Sequence, residues 1–163
     1  MNENITIIRG ASGVGKSTMI RNLLKNEKQI VCIDIDSVRS MFSNMDWDNG
    51  YQEYVNAIKL TVSMVDKLIS LGYSRIVVAD TFRLDQLCEF ISELNYPYSI
   101  CSLFCDKDVL IARIMKRNLP CVSINDIVEY NEKIRGRDLP ISMQKKGIVK
   151  YIDVSYEVPK NII

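Results

Sequence analysis

Histidine is absent from this sequence, and other features that mark particular classes of protein are missing as well. Without histidine, a zinc site that combines Cys and His ligands is excluded. The five cysteines are odd in number and scattered, which indicates small buried apolar side chains rather than a disulfide framework. No run of about 18 apolar residues occurs, so we expect no membrane-spanning helix.

Neither sign of charge dominates the chain. Lysine and arginine number 21, aspartate and glutamate number 20, and the formal net charge is +1. The protein therefore has no overall attraction for nucleic acid or anionic membranes, and a polyanion has to be bound locally. Residues 1–4 do not form a basic segment that leads into a long apolar one, so we expect a soluble, cytoplasmic protein with no membrane partner.

The sequence does have enough apolar residues for one well-packed domain. Its 163 residues are 47% hydrophobic, which suffices for a core without disulfides or a structural metal, and we expect a single domain over residues 1–163. No repeat or low-complexity segment is present. The sequence does not fix the oligomeric state, and a homo-oligomer is compatible with it.

Apolar runs alternate with amphipathic segments along the chain. The runs that predict strands are 5–8, 29–34, 76–80, 98–104 and 149–154. The segments that predict helices begin near Gly15 and cover 36–42, 51–71, 85–95, 109–117 and 123–134, whereas 136–147 predicts a polar, basic loop. This alternation predicts an α/β fold, a central parallel five-stranded sheet flanked by helices, with its site at the carboxyl ends of the strands.

A glycine-rich stretch between the first strand and the first helix carries the most specific signal. Gly10-Ala11-Ser12-Gly13-Val14-Gly15-Lys16-Ser17-Thr18 has the spacing G-x-x-x-x-G-K-[ST] of a phosphate-binding P-loop, or Walker A motif. The glycines allow backbone N–H groups to approach phosphate oxygens closely, and the helix directs its positive end at them. We expect Lys16 to contact the β- and γ-phosphates of ATP or another nucleoside triphosphate and Ser17 to bind Mg²⁺. The alternative is a simple glycine-rich turn.

A second group of charged residues, Asp34-Ile35-Asp36-Ser37-Val38-Arg39, follows the second strand. Phosphoryl transfer to an alcohol needs an acid near the acceptor hydroxyl and a cation for the acceptor's own anionic group. Asp36 and Arg39 are three residues apart, so they can present a catalytic base and a clamp to one ligand. The alternative is that Asp36 caps a helix and Arg39 is solvated.

Asp80 ends an apolar run in the manner of a Walker B acid, so we expect it to hold Mg²⁺ directly or through water. The alternative for Asp80 is an N-terminal cap for the next helix. Arg83, just beyond, is compatible with contact to substrate or to solvent. Tyr51 and Tyr54, near the start of the long helix, are candidates to face the acceptor.

Three cations, Arg113, Lys116 and Arg117, lie at one-turn spacing before the segment 118–122. We predict a small lid over about 113–137 that brings Arg113 or Arg117 onto the phosphoryl group in flight. The alternative is a solvated helix face. Arg135 and Arg137 fit the same lid, or they balance the nearby Glu129 and Glu132.

The motifs that carry a family resemblance are the P-loop, Asp36-x-x-Arg39, Val77-Val78-Ala79-Asp80-Thr81, Arg113-x-x-Lys116-Arg117-Asn118 and Gly147-x-x-x-Tyr151-Ile152. Together they resemble the kinase domain of phage and bacterial polynucleotide 5′-kinases. The resemblance covers nearly the whole chain and implies a P-loop NTPase fold of the nucleoside-kinase-like type. It also implies that Asp36 is general base for a 5′-hydroxyl, that Arg39 grips the neighbouring phosphate, that Asp80 belongs to the metal and acceptor site, and that Arg113 or Arg117 are lid arginines.

The expected function is therefore that of an ATP-dependent kinase whose acceptor is the 5′-hydroxyl of an RNA or DNA end. A kinase of a small metabolite or nucleotide, with a small phosphorylated or anionic alcohol as acceptor, is the nearest alternative. Asp34-x-Asp36-x-x-Arg39 is also similar to adenylylsulfate kinase, and the glycine-rich loop to gluconate and shikimate kinases. An alternative of another class is a nucleotide-dependent switch or assembly NTPase, which predicts an exposed apolar patch at 41–47.

Overall fold

The computed structural model describes residues 5–42, 50–117, 123–145 and 148–160. Within these ranges the chain forms one five-stranded, all-parallel sheet with helices on both faces. The strands are β1 (Ile5–Gly10), β2 (Ile30–Asp34), β3 (Arg75–Asp80), β4 (Tyr98–Phe104) and β5 (Val149–Asp153), in the spatial order β2-β3-β1-β4-β5. The prediction of an α/β fold with a central parallel five-stranded sheet is confirmed.

Seven helices are present in the described ranges. They are α1 (Lys16–Asn26), α2 (Ile35–Arg39), α3 (Tyr51–Ser70), α4 (Leu84–Glu93), α5 (Lys107–Arg117), α6 (Ile124–Arg135) and α7 (Ile141–Lys145). None of the helices in this part of the chain is both long enough and apolar enough to cross a bilayer.

The central strands are buried on both faces and mostly apolar because helices cover both sides of the sheet. One face packs against α1, α5 and α6 through side chains such as Met19, Leu110 and Ile134. The other face packs against α3 and α4 through side chains such as Ile58 and Phe90. This double cover places the site residues at the ends of well-packed strands.

The end of α3 and the start of α6 have the capping residues that are typical of helix ends. Gly72 has φ +90°, and the N–H groups of Gly72 and Tyr73 donate to Ile69 and Leu68, which closes α3 with a Schellman motif. The Ser123 side chain accepts from the backbone N–H of Asp126 and caps α6.

The structure corrects the sequence prediction in two places. Residues 136–147 were predicted as a loop, but Ile141–Lys145 forms α7 directly after Pro140. This short helix owes its stability to tertiary packing, since Leu139 and Met143 join the core beside α3 and α4. In addition, α2 is capped by Asp34, whose carboxylate accepts from the N–H of Asp36 at 3.1 Å. The alternative in which Asp36 caps this helix is therefore wrong.

The carboxyl ends of the strands lie along one edge of the sheet. In register, Arg9 of β1 lies beside Asp80 of β3, and Asp34 ends β2 on the far side of β3. The segment between β1 and α1 starts from the same edge. Ligands of open parallel sheets bind at this edge, so the fold brings the predicted site residues to the expected place.

Candidate active site

The segment between β1 and α1 has the backbone geometry of a phosphate-binding loop. Gly13 has φ +82° and Gly15 has φ +126°, conformations that favour glycine. A Cβ on Gly10 would lie 2.8 Å from the Val14 side chain and 2.9 Å from the carbonyl oxygen of Leu103. Because no side chain caps α1 and no acid lies in its first turn, its N–H groups and positive end are available to an anion.

Lys16 begins α1 and folds back over this loop. Its Nζ donates to the carbonyl oxygens of Gly10 at 2.8 Å and Ala11 at 3.1 Å. Burial lowers the pKa of Lys16, while the charges of Asp80 and Asp36 act to raise it. The ammonium therefore lies over the loop and near the acids at the ends of two neighbouring strands.

Asp80 is the most buried of these acids, and its side chain is held by α3. The residue is 3% exposed, and the Tyr54 hydroxyl donates to its Oδ2 at 2.7 Å. Burial raises the pKa of Asp80, whereas the hydrogen bond from Tyr54 lowers it. The next helix, α4, begins at Leu84 with Arg83 as its N-cap, so the alternative role of Asp80 as a helix cap is wrong.

Asp36 lies in the first turn of α2, where the cap by Asp34 leaves its carboxylate available. The residue is exposed as a whole, but its carboxyl group is partly desolvated; this desolvation and then the charges of Asp80 and Asp34 raise its pKa to about 6, against the opposing charges of Lys16 and Arg39. A carboxylate with this pKa is ionised at neutral pH and is more basic than an ordinary aspartate. Both properties suit a general base.

Arg39 lies one turn after Asp36 and is 9% exposed, so the alternative of a solvated side chain is wrong. Its guanidinium carbon lies 5.5 Å from the centroid of the Tyr54 ring. The ring therefore supports the cation from one side. Of the two tyrosines at the start of α3, Tyr54 is buried against these groups, whereas Tyr51 is 68% exposed.

The three cations of α5 have different surroundings from one another. Arg113 donates to the backbone carbonyls of Val14 and Val154, both at 2.8 Å, so it joins the phosphate-binding loop to the segment after β5. Lys116 and Arg117 are exposed and line a cavity of about 460 Å³ together with Gly15, Thr18, Arg113 and Val158. The transition-state roles of Arg113 and Arg117 stay predictions. Arg113 bonds to two backbone carbonyls, whereas Arg117 is exposed beside the phosphate-binding loop.

The predicted lid lies only partly within the described residues. Asn131 of α6 accepts from the N–H of Cys105 at 3.1 Å and donates to its carbonyl oxygen at 2.8 Å, and Ile127 and Ile134 are buried in the core. The helix α6 is thus firmly packed, and a lid that begins at the end of α5 stays a prediction. The segment 118–122 and most of the predicted apolar patch at 41–47 lie outside the described residues.

Arg9 is an important residue that the sequence analysis did not identify. It is fully buried and donates to both carboxylate oxygens of Asp138, at 3.0 and 2.7 Å, to the Tyr130 hydroxyl at 2.7 Å and to the Phe82 carbonyl at 3.2 Å. Phe82 itself has φ +46°, a strained value for a non-glycine residue. One signal was present, because a charge inside a strand covered on both faces requires a partner.

This Arg9 network joins three parts of the site. Arg9 directly precedes the phosphate-binding loop. Its side chain binds the backbone of Phe82, two residues after Asp80, and Asp138, which lies between α6 and α7. The Tyr130 hydroxyl also lies within hydrogen-bond distance of the carbonyls of Thr81, at 2.9 Å, and Phe82, at 2.6 Å. We conclude that the network fixes the phosphate-binding loop relative to Asp80.

The α/β fold, the phosphate-binding loop and the acids at the neighbouring strand ends define a P-loop domain of the nucleotide-binding, kinase-like class. Residues 5–129 match the family described as AAA domain (AAA_33), and the chain belongs to this family. No curated protein matches the sequence.

Solved structures share this fold at low sequence identity. A "putative kinase" from Chloroflexus aurantiacus is 17% identical, with a TM-score of 0.69, and the match covers 99% of this chain and 94% of that one. The Pnkp1/Rnl/Hen1 RNA repair complex contains a chain that is 20% identical, with a TM-score of 0.62, matched over 82% of this chain and 45% of that one. The tunicamycin resistance protein of Deinococcus radiodurans is 11% identical, with a TM-score of 0.65 and coverage of 96% and 88%.

Proposed function

We propose that this protein is an ATP-dependent phosphotransferase that moves the γ-phosphate of ATP to the 5′-hydroxyl of an RNA or DNA end. The observation that carries the proposal is the pair of Asp36 and Arg39 in α2, beside Lys16 and Asp80 at the same sheet edge. This pair offers a base and a buried cation next to a phosphate-binding loop. The similarity to a chain of an RNA repair complex supports the nucleic-acid acceptor.

The nucleotide occupies the site in two parts. Its phosphates lie against the backbone N–H groups of residues 10–18, with Lys16 turned from the loop carbonyls onto the β- and γ-phosphates. Its base and ribose lie in the cavity beside Gly15, whose volume of about 460 Å³ is in the usual range for small-molecule sites. Asn22 donates to the carbonyl oxygens of Val158, at 3.3 Å, and Pro159, at 3.4 Å, which holds the wall of this cavity in place.

The residues present fit a Mg²⁺ ion. Ser17 and Asp80 provide the hard oxygen ligands that Mg²⁺ prefers. In the described ranges no group of three or more acidic or cysteine side chains converges into a metal cage. Such a site suits Mg²⁺, which keeps several waters and binds through few protein ligands and the substrate phosphates. When bound, the ion neutralises charge that develops on the phosphates.

The transfer step follows from the positions of the side chains. Asp36 accepts the proton of the 5′-hydroxyl, whose oxygen forms a bond to the γ-phosphorus. The bond from that phosphorus to the β–γ bridging oxygen breaks, and ADP leaves with the bond electrons. Arg39 holds the phosphate next to the accepting hydroxyl, and Arg117 stabilises the charge on the phosphoryl group in flight. Atoms and electrons balance without a further reactant.

An acceptor panel tests the proposal. ATP labelled at the γ-phosphate is offered with 5′-hydroxyl oligonucleotides, nucleosides, nucleotides and sugar acids, with Lys16→Ala as the inactive control. We expect the label to appear on the oligonucleotide ends. Label on a nucleotide or sugar acid instead would establish the small-acceptor kinase and overturn the polynucleotide assignment. Release of labelled phosphate without any acceptor would favour a switch or assembly NTPase.

A further inference from the structure

Tyr54 contacts both of the side chains that the proposed function assigns to the metal and to the acceptor. Its hydroxyl donates to Oδ2 of Asp80 at 2.7 Å, and its ring lies 5.5 Å from the guanidinium carbon of Arg39. It is 5% exposed. A single buried side chain therefore contacts both Asp80, which the proposed function assigns to the metal, and Arg39, which it assigns to the acceptor.

The position of Tyr54 is fixed by α3. The residue lies in the first turn of this helix, and its N–H donates to the carbonyl of Gly50 at 3.0 Å. Ala57 and Ile58, three and four residues further along, are buried in the core and anchor the same face of the helix. Tyr54 therefore contacts its two neighbours from a rigid element rather than from a loop.

We propose that Tyr54 is a positioning residue that couples the carboxylate of Asp80 to the guanidinium of Arg39. This inference rests on the proposed function, in which Asp80 holds Mg²⁺ and Arg39 holds the acceptor phosphate. The hydroxyl bonds to Oδ2 and fixes the rotation of the carboxylate, which orients the carboxylate towards the ion. The ring face sets the plane in which the guanidinium meets a phosphate.

The two contacts use different parts of the side chain, so they can be separated. Tyr54→Phe removes the hydrogen bond to Asp80 and keeps the ring under Arg39. Tyr54→Leu removes both. Tyr73→Phe is a control, because Tyr73 follows the opposite end of the same helix and is 41% exposed.

Two measurements distinguish the contacts. The first is the Mg²⁺ concentration that gives half of the thermal stabilisation of the protein saturated with a non-hydrolysable ATP analogue. The second is the KM for a 5′-hydroxyl oligonucleotide. We expect Tyr54→Phe to raise the Mg²⁺ midpoint by about tenfold, the usual effect of losing a hydrogen bond to a metal ligand, and to leave KM within about twofold of wild type.

Tyr54→Leu raises the Mg²⁺ midpoint as much and also raises KM by about fivefold, because the support for Arg39 is lost. In an Asp80→Asn background, Tyr54→Phe has no further effect on the Mg²⁺ midpoint, since the hydroxyl acts through that carboxylate. Tyr73→Phe changes neither quantity. A folded Tyr54→Phe protein with an unchanged Mg²⁺ midpoint would overturn the coupling.

These outcomes separate the inference from the proposed function. If the wild-type protein binds the analogue with Mg²⁺ but Tyr54→Phe behaves as wild type, the inference fails and the proposed function stands. If the wild-type protein shows no Mg²⁺-dependent stabilisation by the analogue, the proposed function fails and the inference fails with it.

Discussion

The buried pair of Arg9 and Asp138 gives the strongest prediction about stability. Arg9 is fully buried, and the Asp138 side chain is 17% exposed, so little solvent is available to replace a lost partner. Although burial acts to lower the pKa of Arg9, its hydrogen bond to Asp138 and the neighbouring Tyr130 raise it, so the guanidinium stays charged. Asp138→Asn keeps the shape of the partner but removes its charge.

Breaking a buried ion pair from one side costs about 3–5 kcal/mol, because the remaining charge is left uncompensated. We therefore expect Asp138→Asn to lower the free energy of unfolding by about 3 kcal/mol, since Phe82 and Tyr130 still accept or share hydrogen bonds with Arg9. For a chain of this length, the corresponding fall in Tm is about 10 °C. Urea unfolding followed by circular dichroism at neutral pH measures the free energy directly.

The control for this prediction is Glu129→Gln, which removes the ion pair with Lys133 at 2.7 Å. Both of those side chains are more than 60% exposed, so we expect an unfolding midpoint equal to that of wild type. Replacement of both partners, as Arg9→Met with Asp138→Leu, should recover most of the loss. If Asp138→Asn costs no more than Glu129→Gln, the conclusion that this network fixes the site is refuted.

Three further predictions concern the site. Asp36→Asn should remove turnover and keep binding of an ATP analogue. The kcat/KM of wild type should fall about tenfold per pH unit below a pH of about 6, because the raised pKa of Asp36 leaves the base protonated there. Activity that is flat down to pH 5 would exclude Asp36 as base. Arg39→Ala should raise the KM of the acceptor by about tenfold or more and leave that of ATP unchanged, whereas a selective effect on ATP would contradict the clamp. Arg113→Ala should raise the dissociation constant of the ATP analogue, measured by calorimetry, by about tenfold, because the phosphate-binding loop loses its bond to the segment after β5. Lys107→Ala, at the exposed start of the same helix, should leave this constant unchanged. Equal affinities of the two variants would refute the role of Arg113.

Much of the fold could be predicted from local signals. The five apolar runs became the five strands because a parallel sheet covered on both faces needs continuous apolar strands. The P-loop was predicted because the spacing of its glycines, Lys16 and Ser17 can be read directly from the sequence, and only glycine allows the backbone to approach phosphate oxygens so closely. The closing glycine of α3 and the Ser123 cap of α6 follow the same logic.

The remaining features depend on contacts between distant parts of the chain. Arg9 and Asp138 are 129 residues apart, and no local pattern indicates that they pair. The short helix α7 has too few residues for a periodic signal, and its packing against the core stabilises it. The spacing of Arg113, Lys116 and Arg117 places them on a helix but does not show that Arg113 faces the backbone of two other segments.

The central claim is that α2 presents a base and a phosphate clamp to an acceptor beside the bound nucleotide. A crystal structure of the protein with Mg²⁺, a non-hydrolysable ATP analogue and a short 5′-hydroxyl oligonucleotide tests it most directly. We predict that the triphosphate lies on residues 10–18, the 5′-hydroxyl lies within hydrogen-bond distance of Asp36, and the adjacent phosphate contacts Arg39. An oligonucleotide bound away from Asp36, or a nucleotide bound outside the loop, would contradict the account.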